Sequence, residues 1–346
     1  MNLGLLLGYS GKQLQIPMPM VHEAEEAGYH SVWVAEAYGS DAATVSSWIL
    51  AQTERIKVGT AIFQVPGRTP AMTAMTTMSL AQLSGDRFIL GLGASGPQVV
   101  EGWHGIGYAK PLTRLREHIE IVKKIMKREG PVEFDGEIYQ MPYDGDGSVG
   151  LGKPLKSILG ATEVPVYTAS FTPGGFRVSG EVADGLFPSF ASPDKLSLIT
   201  KPVEEGFAKA GNGKGWDDFD IAPFVGVFCG EDPEEYLFAT RQMLALYIGG
   251  MGARNKNFYN AMACRMGYED AAAKVQDLYL SGKKEEAAAA LPMELLEEVS
   301  LSGTKDQIAA KAEKWKAARD DGCVKTMILG IHQPEMIGFM AEVFQD

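Results

Sequence analysis

The chain has 346 residues, of which 45% are hydrophobic and 22% are charged, and its formal net charge is −12. This length suits one large α/β barrel or two ordinary domains around a sizeable core. The acidic balance argues against a protein that binds the phosphate backbone of nucleic acids. No basic run is present that would attract a membrane surface.

Cysteine usage and hydropathy bear on the compartment. Cys229, Cys264 and Cys323 lie far apart and form no C-x-x-C pair. We therefore expect neither a metal site nor a disulfide framework, and we predict a reducing, cytoplasmic environment. The sequence shows no signal-peptide pattern and no apolar run long enough to span a membrane, so no membrane association is expected.

Short apolar stretches alternate with amphipathic ones along most of the chain. The predicted strands are residues 3–7, 31–35, 56–62, 88–92, 164–168, 185–187, 221–229 and 326–329. The predicted helices after them are residues 17–27, 44–52, 69–83, 112–128, 174–183, 194–210, 233–247 and 335–344. Eight strand–helix units in one chain favour a closed (β/α)8 barrel, the TIM-barrel fold, over an open doubly wound α/β sheet.

Two stretches interrupt this alternation. Residues 130–156 are rich in Gly, Pro, Tyr and Asp, and they predict a loop or hairpin insertion after the fourth strand. Residues 249–302 predict a helical insertion after the seventh strand. We expect both to decorate a single domain that spans residues 1–346.

Residues 91–96 read G-L-G-A-S-G and match the dinucleotide-binding pattern G-x-G-x-x-G. That pattern normally belongs to the first strand of its domain, with an acidic residue about 20 residues later that binds the ribose. Here the motif follows the fourth strand, and residues 114–117 lie inside a predicted helix instead. We interpret the small residues as a shelf on which a flat ligand approaches the backbone, with a plain tight turn as the alternative.

The carboxyl ends of the strands carry the site in a (β/α)8 fold. Tyr9 and Glu36 follow the first and second strands. Gln64 and Arg68 follow the third strand, and these two residues are candidates to face a substrate. Residues 169–175, A-S-F-T-P-G-G, open a helix whose backbone N–H groups are predicted to bind a phosphate. A plain helix N-cap with proline in the first turn is the alternative there.

Several stretches together resemble the bacterial luciferase-like (β/α)8 superfamily, within the group of oxidoreductases that use the deazaflavin coenzyme F420. The stretches are LLLGY at 5–9, VAEAYGSD at 34–41, VGTAI at 58–62, LAQLSGDRF at 80–88, GLGASGPQVVEGW at 91–103, ADG at 183–185 and LYIGGMG at 246–252. The resemblance covers nearly the whole chain, and methylenetetrahydromethanopterin reductase is a member of this group.

The resemblance implies that F420, an 8-hydroxy-5-deazaflavin, lies across the barrel mouth. It also implies a bulge in the third strand, with a non-prolyl cis peptide at Ala61–Ile62 behind the ring. The residues expected at the cofactor are Tyr9, Glu36, Ala61, Ile62, Gly93, Ala94 and Ser95 near the ring, and Ala169, Ser170, Phe171, Thr172, Gly174 and Gly175 near the tail phosphate.

The chain departs from its relatives at three positions. Many relatives have glycine where Thr172 stands. In the glucose-6-phosphate group a histidine follows the acidic residue of strand two, and a glutamate lies in the strand-four loop. Ala37 and Gly96 occupy those places here. The proton donor and substrate of that group therefore do not carry over.

The implied reaction moves a hydride between F420 and a small organic substrate, and a nearby proton donor or acceptor would assist it. Glu36 and His104 are the predicted catalytic residues, with Tyr9 and Glu101 as further candidates; a plain polar loop residue is the alternative for His104. Two other functions stay open: an FMN-dependent luciferase-like monooxygenase and a flavin-binding barrel without turnover. The resemblance further implies a homodimer packed through helices near strands two to four.

Overall fold

The computed structural model describes residues 1–345. Its strands are β1 (Asn2–Leu7), β2 (Ser31–Val34), β3 (Lys57–Thr60), β4 (Phe63–Gln64), β5 (Phe88–Gly93), β6 (Phe134–Asp135), β7 (Gln140–Met141), β8 (Val166–Ser170), β9 (Gly185–Pro188), β10 (Asp220–Ile221), β11 (Phe224–Cys229), β12 (Ser300–Gly303) and β13 (Thr326–Ile331).

Helices follow most of the strands. They are α1 (Met18–Glu26), α2 (Ala42–Leu50), α3 (Pro70–Ser84), α4 (Pro97–Gly102), α5 (Pro111–Lys127), α6 (Pro173–Val182), α7 (Ser197–Ala210), α8 (Pro233–Tyr236), α9 (Phe238–Ala245), α10 (Phe258–Arg265), α11 (Glu269–Leu280), α12 (Lys284–Ala289), α13 (Met293–Glu298), α14 (Lys305–Asp320) and α15 (Met336–Phe344). None of the helices within residues 1–345 is both long and apolar enough to cross a membrane.

The strands form a parallel barrel. β1 pairs with β2 on one side and with β13 on the other, and the order continues through β3, β5 and β8 to β9. Residues 220–229 close the ring, because β10 pairs with β9 while β11 pairs with β13. The barrel class predicted from the sequence is therefore confirmed.

The seventh barrel strand is broken where a single strand over 221–229 was predicted. Pro223 separates β10 from β11, and it has no N–H to donate to a neighbouring strand. The two halves use different neighbours: the Ala222 amide donates to Leu186, and the Pro223 carbonyl accepts from Ile328. The break is thus the point at which the strand changes partners.

The region predicted as a helical insertion over 249–302 holds α10 to α13, but its last residues are not helical. β12 lies parallel to β11, with Gly226 opposite Ser300 and Cys229 opposite Gly303. A further helix, α14, follows at once and was not predicted. Thr304 and Gln307 form a capping box at its start.

The insertion predicted over 130–156 contains the antiparallel pair of β6 and β7. Glu117, on α5, holds the turn of this hairpin, because its carboxylate accepts the backbone N–H groups of Glu137, Ile138 and Tyr139. The hairpin is therefore fixed to the long helix that precedes it.

Aromatic rings fill the inside of the barrel. Trp33 lies 4.8 Å from Phe187 between ring centroids, and Phe187 in turn stacks on Tyr167 at 5.2 Å. Glycines on the two strands beside β2 make room for the indole: a Cβ added at Gly4 or Gly59 would lie 2.6 or 2.2 Å from atoms of Trp33. The barrel is a packed core below its mouth, and only its top layer is available to a ligand.

Candidate functional site

The floor of the barrel mouth is apolar and built from small or aliphatic side chains. Four partly exposed residues that pack on the inner aromatic cluster form it: Leu6, Ala61, Ile62 and Ala169. Gly8 follows β1, and a Cβ added there would meet nothing within 4 Å. The space above the floor is therefore open at Gly8.

The third barrel strand crosses this floor with a bulge. β3 places Gly59 opposite Ile89, whereas β4 places Phe63 opposite Leu92, so three residues on one strand face two on the other. Thr60 bridges the interrupted ladder, since its hydroxyl accepts from the Gly91 amide and donates to the Gly91 carbonyl, both at 2.9 Å. The peptide bond between Ala61 and Ile62 is cis, as predicted.

The glycines of the 91–96 motif serve this bulge. A Cβ at Gly91 would lie 1.8 Å from the Thr60 carbonyl oxygen, and a Cβ at Gly93 would lie 2.7 Å from Cδ1 of Ile62. Gly96 is the N-cap residue of α4. The motif therefore allows close packing between neighbouring strands, and the cofactor contacts of Gly93, Ala94 and Ser95 stay predictions.

Glu36 is engaged on both carboxylate oxygens. Oε2 accepts the Ala42 amide at 3.0 Å, and Oε1 accepts the Gln64 amide at 3.1 Å. Arg68 lies 3.6 Å from the same carboxylate and also pairs with Asp41. These bonds let Glu36 hold two loops together, and its catalytic and cofactor-binding roles stay predictions.

Gln64 lies at the centre of this network and is 2% exposed, so it cannot face a substrate as the sequence suggested. Its side-chain amide donates to the Ala37 carbonyl at 2.5 Å, and its Oε1 accepts from the Ser95 hydroxyl at 2.9 Å. Nε2 of His104 lies 3.4 Å from the same oxygen. Gln64 therefore ties the loop after β2 to the loop after β5, and the catalytic role of His104 stays a prediction.

The predicted phosphate loop forms the first turn of α6. Thr172 is the N-cap, and its hydroxyl accepts the Gly175 amide at 3.1 Å. A Cβ at Gly175 would lie 1.7 Å from Oγ of Ser170, so glycine is required there for packing. A guanidinium reaches the loop from α10, because Arg265 donates to the Phe171 carbonyl at 2.5 Å. The loop thus combines helix-terminal amides with a neighbouring cation.

Aromatic side chains stand around the mouth. Tyr9, Tyr38 and Trp103 are 65%, 68% and 67% exposed, and the last two rings lie 6.4 Å apart. Desolvation by the surrounding protein raises the pKa of the Tyr9 phenol to about 12. The nearby Tyr247 and Tyr38 contribute to the same shift. Tyr9 is therefore protonated at neutral pH and can donate a hydrogen bond.

Comparisons with known proteins place this architecture among relatives. A family model described as luciferase-like monooxygenase matches residues 9–322. A Mycobacterium tuberculosis protein, named provisionally as a coenzyme F420-dependent oxidoreductase, is 40% identical over 321 residues, which is 92% of each chain. The 5,10-methylenetetrahydromethanopterin reductase of Archaeoglobus fulgidus is 28% identical over 228 residues, covering 66% of this chain and 64% of the relative.

A solved structure shows the same fold. The coenzyme F420-dependent tetrahydromethanopterin reductase from Methanopyrus kandleri superposes with a TM-score of 0.76 at 20% identity, over 99% of this chain and 97% of that one. Both the family and the barrel that the sequence predicted are confirmed by these matches.

The close packing at Gly91 predicts that adding a single methyl group there destabilises the fold. Gly91→Ala places a Cβ against the Thr60 carbonyl and should lower the free energy of unfolding by about 3 kcal/mol, because the strands must separate. Gly102→Ala, where a Cβ meets nothing within 4 Å, should change it by less than about 0.5 kcal/mol. Urea denaturation compares the two variants, and equal stabilities would contradict the packing role.

Proposed function

We propose that this chain, which belongs to the luciferase-like monooxygenase family, is an oxidoreductase that uses coenzyme F420 to move a hydride to or from a small organic substrate. The observation that carries the proposal is the floor of the barrel mouth, formed by the bulge at Ala61 and Ile62, with the open space above Gly8. The named function of the 40% identical relative supports F420 over other flavins.

The floor fits a flat, aromatic ring system. Ala61, Ile62 and Ala169 present only small or aliphatic side chains, and they are packed from below by the inner aromatic cluster. A planar ligand on such a floor buries apolar area without having to displace a bulky side chain. We expect the ring to lie there, with Tyr9 at the rim.

The first turn of α6 fits the tail of the coenzyme. The tail carries a phosphate, which is stabilised by helix N-terminal amides and by a nearby cation. Thr172, Gly174 and Gly175 would hold the phosphate, and Arg265 is the adjacent positive charge. Thr172 replaces the glycine of many relatives, and its hydroxyl provides a further polar group at this turn.

When bound, F420 accepts or supplies the hydride, and the protein provides position and electrostatics. The packed core under Ala61 and Ala169 keeps water from one face of the ligand. The network of Glu36 and Gln64 fixes the loops after β2 and β5 beside the floor, so that the ligand meets a preformed surface.

A substitution at Gly8 tests the proposal. Gly8→Trp fills the open space above the floor, so it should preserve the fold and lower F420 affinity by roughly a hundredfold, a loss of about 2.7 kcal/mol. Gly160→Trp, at an exposed glycine whose Cβ also meets nothing within 4 Å, should bind F420 normally. Fluorescence titration with F420 and with FMN measures both affinities, and circular dichroism verifies the fold.

The titration also distinguishes the alternatives. Tight binding of FMN without binding of F420 would contradict the proposal and favour a flavin monooxygenase. Binding of F420 that Gly8→Trp leaves unchanged would show that the ring lies elsewhere.

We further propose that two chains associate through α3. Met72, Met75 and Leu83 lie on one face of this helix and are 49%, 55% and 86% exposed, although they are large and apolar. Trp48, on the neighbouring α2, is a further large apolar side chain with 59% of its surface exposed. Large apolar side chains exposed together on one helix face suit contact with a second copy, in accord with the dimers expected for this family.

The dimer is tested at the middle of that face. Met75→Arg should convert the dimer to a monomer, because the charge would have to be buried without a partner. Phe238→Arg, at an equally exposed apolar residue on α9, should leave the dimer intact. Light scattering after gel filtration gives the masses. A monomeric wild type, or a Met75→Arg variant that stays dimeric, would overturn this arrangement.

A further inference from the structure

His332 directly follows β13, and continuing the alternation of that strand places its side chain on the inner side of the barrel. Met327, Leu329 and Ile331 pack in the core outside the barrel, whereas Ile328 belongs to the inner cluster. Side chains alternate along a strand, so Gly330 and His332 continue the inner row toward the mouth. His332 is exposed there, one residue beyond the last paired residue of the strand.

The neighbouring strands leave room around this imidazole. The register of β1 and β13, extended beyond Leu5 opposite Leu329, brings Gly8 next to His332. On the other side Phe228 stacks on the imidazole, with 6.1 Å between ring centroids. Below it, a Cβ at Gly330 would meet no atom closer than 3.8 Å. The imidazole is therefore held by one aromatic ring and borders the open part of the floor.

Glu36, His104 and Glu101, the other acid–base candidates apart from Tyr9, have protein partners; the Glu101 carboxylate accepts the Tyr108 amide. Both oxygens of Glu36 accept backbone amides, and Nε2 of His104 faces Oε1 of Gln64. Tyr9 does not accept protons at neutral pH, because desolvation by the surrounding protein raises the pKa of its phenol to about 12. An imidazole can both accept and donate a proton through its ring nitrogens, so it suits that task better.

We propose that His332 is the acid–base residue of the hydride transfer and that the substrate is an alcohol or the corresponding carbonyl compound. The proposal rests on the proposed function. Oxidation of an alcohol releases one hydride and one proton. The hydrogen on the carbinol carbon leaves with the electron pair of its C–H bond, as hydride to the deazaflavin. The O–H proton passes to the imidazole as the C=O bond forms. Reduction reverses both transfers.

The experiment has one arm for the cofactor and two for His332. Fluorescence titration shows whether the wild type binds F420; failure here would refute the proposed function itself. NMR of the histidine ring signals then follows F420 addition without any substrate. The signals of His332, assigned by their loss in His332→Gln, should shift, whereas those of His22, exposed on α1, should stay constant.

Turnover is measured with isopropanol, cyclohexanol and benzyl alcohol as probes. His332→Gln should bind F420 as the wild type does, lose roughly a hundredfold or more in kcat, and recover part of it with added imidazole. His22→Gln should match the wild type. Unshifted His332 signals, no turnover of any alcohol by an F420-binding wild type, or a His332→Gln kcat near the wild-type value would each overturn the proposal.

Discussion

The site depends on one interruption of the barrel ladder, the bulge between β3 and β5. An uninterrupted third strand would pair with β5 along its whole length and would present side chains to the mouth in simple alternation. The extra residue at 60–62 instead brings the backbone of Ala61 and Ile62 to the floor. Thr60 makes this possible, because its hydroxyl bonds both backbone groups of Gly91 where no ladder bond is available. An unpaired buried amide there would otherwise be costly.

The loops above the floor depend on buried polar bonds. Gln64 is almost fully buried, and both polar atoms of its side chain, Nε2 and Oε1, have a hydrogen-bond partner on another loop. Glu36, which follows β2, accepts the backbone amide of Gln64 on β4. The carboxyl ends of β2, β4 and β5 are therefore tied together. Fully satisfied networks of this kind give rigidity, and a site for a flat ligand benefits from a surface that is already formed. The aromatic residues at the rim are exposed by comparison and leave the mouth accessible.

Much of the fold could be predicted from the sequence. The alternation of apolar strands and amphipathic helices is a local property, and it sufficed for the barrel. The resemblance located the cis peptide at Ala61–Ile62. Other features could not be predicted, because they depend on which strands become neighbours. The break at Pro223 reflects a change of partner, and β12 is a strand only because β11 offers it a free edge.

The site was harder to predict than the fold. A strand-end glutamine suggests a ligand contact, but the bulge turned Gln64 inward, where it bonds Ala37 and Ser95. The glycines at 91–96 resembled a dinucleotide motif, yet their contacts are with Thr60 and Ile62. His332 lacked any motif, and its place follows from its stacking on Phe228 and from extending the β1–β13 register to Gly8.

A crystal structure of the protein with F420 bound tests the central claim most directly, namely that the bulge forms the floor for a flat cofactor. We predict that the deazaflavin ring lies on the Ala61–Ile62 peptide near Gly8 and Ala169, with its phosphate at the first turn of α6. A ring bound away from this peptide, or a phosphate held at residues 91–96, would contradict it.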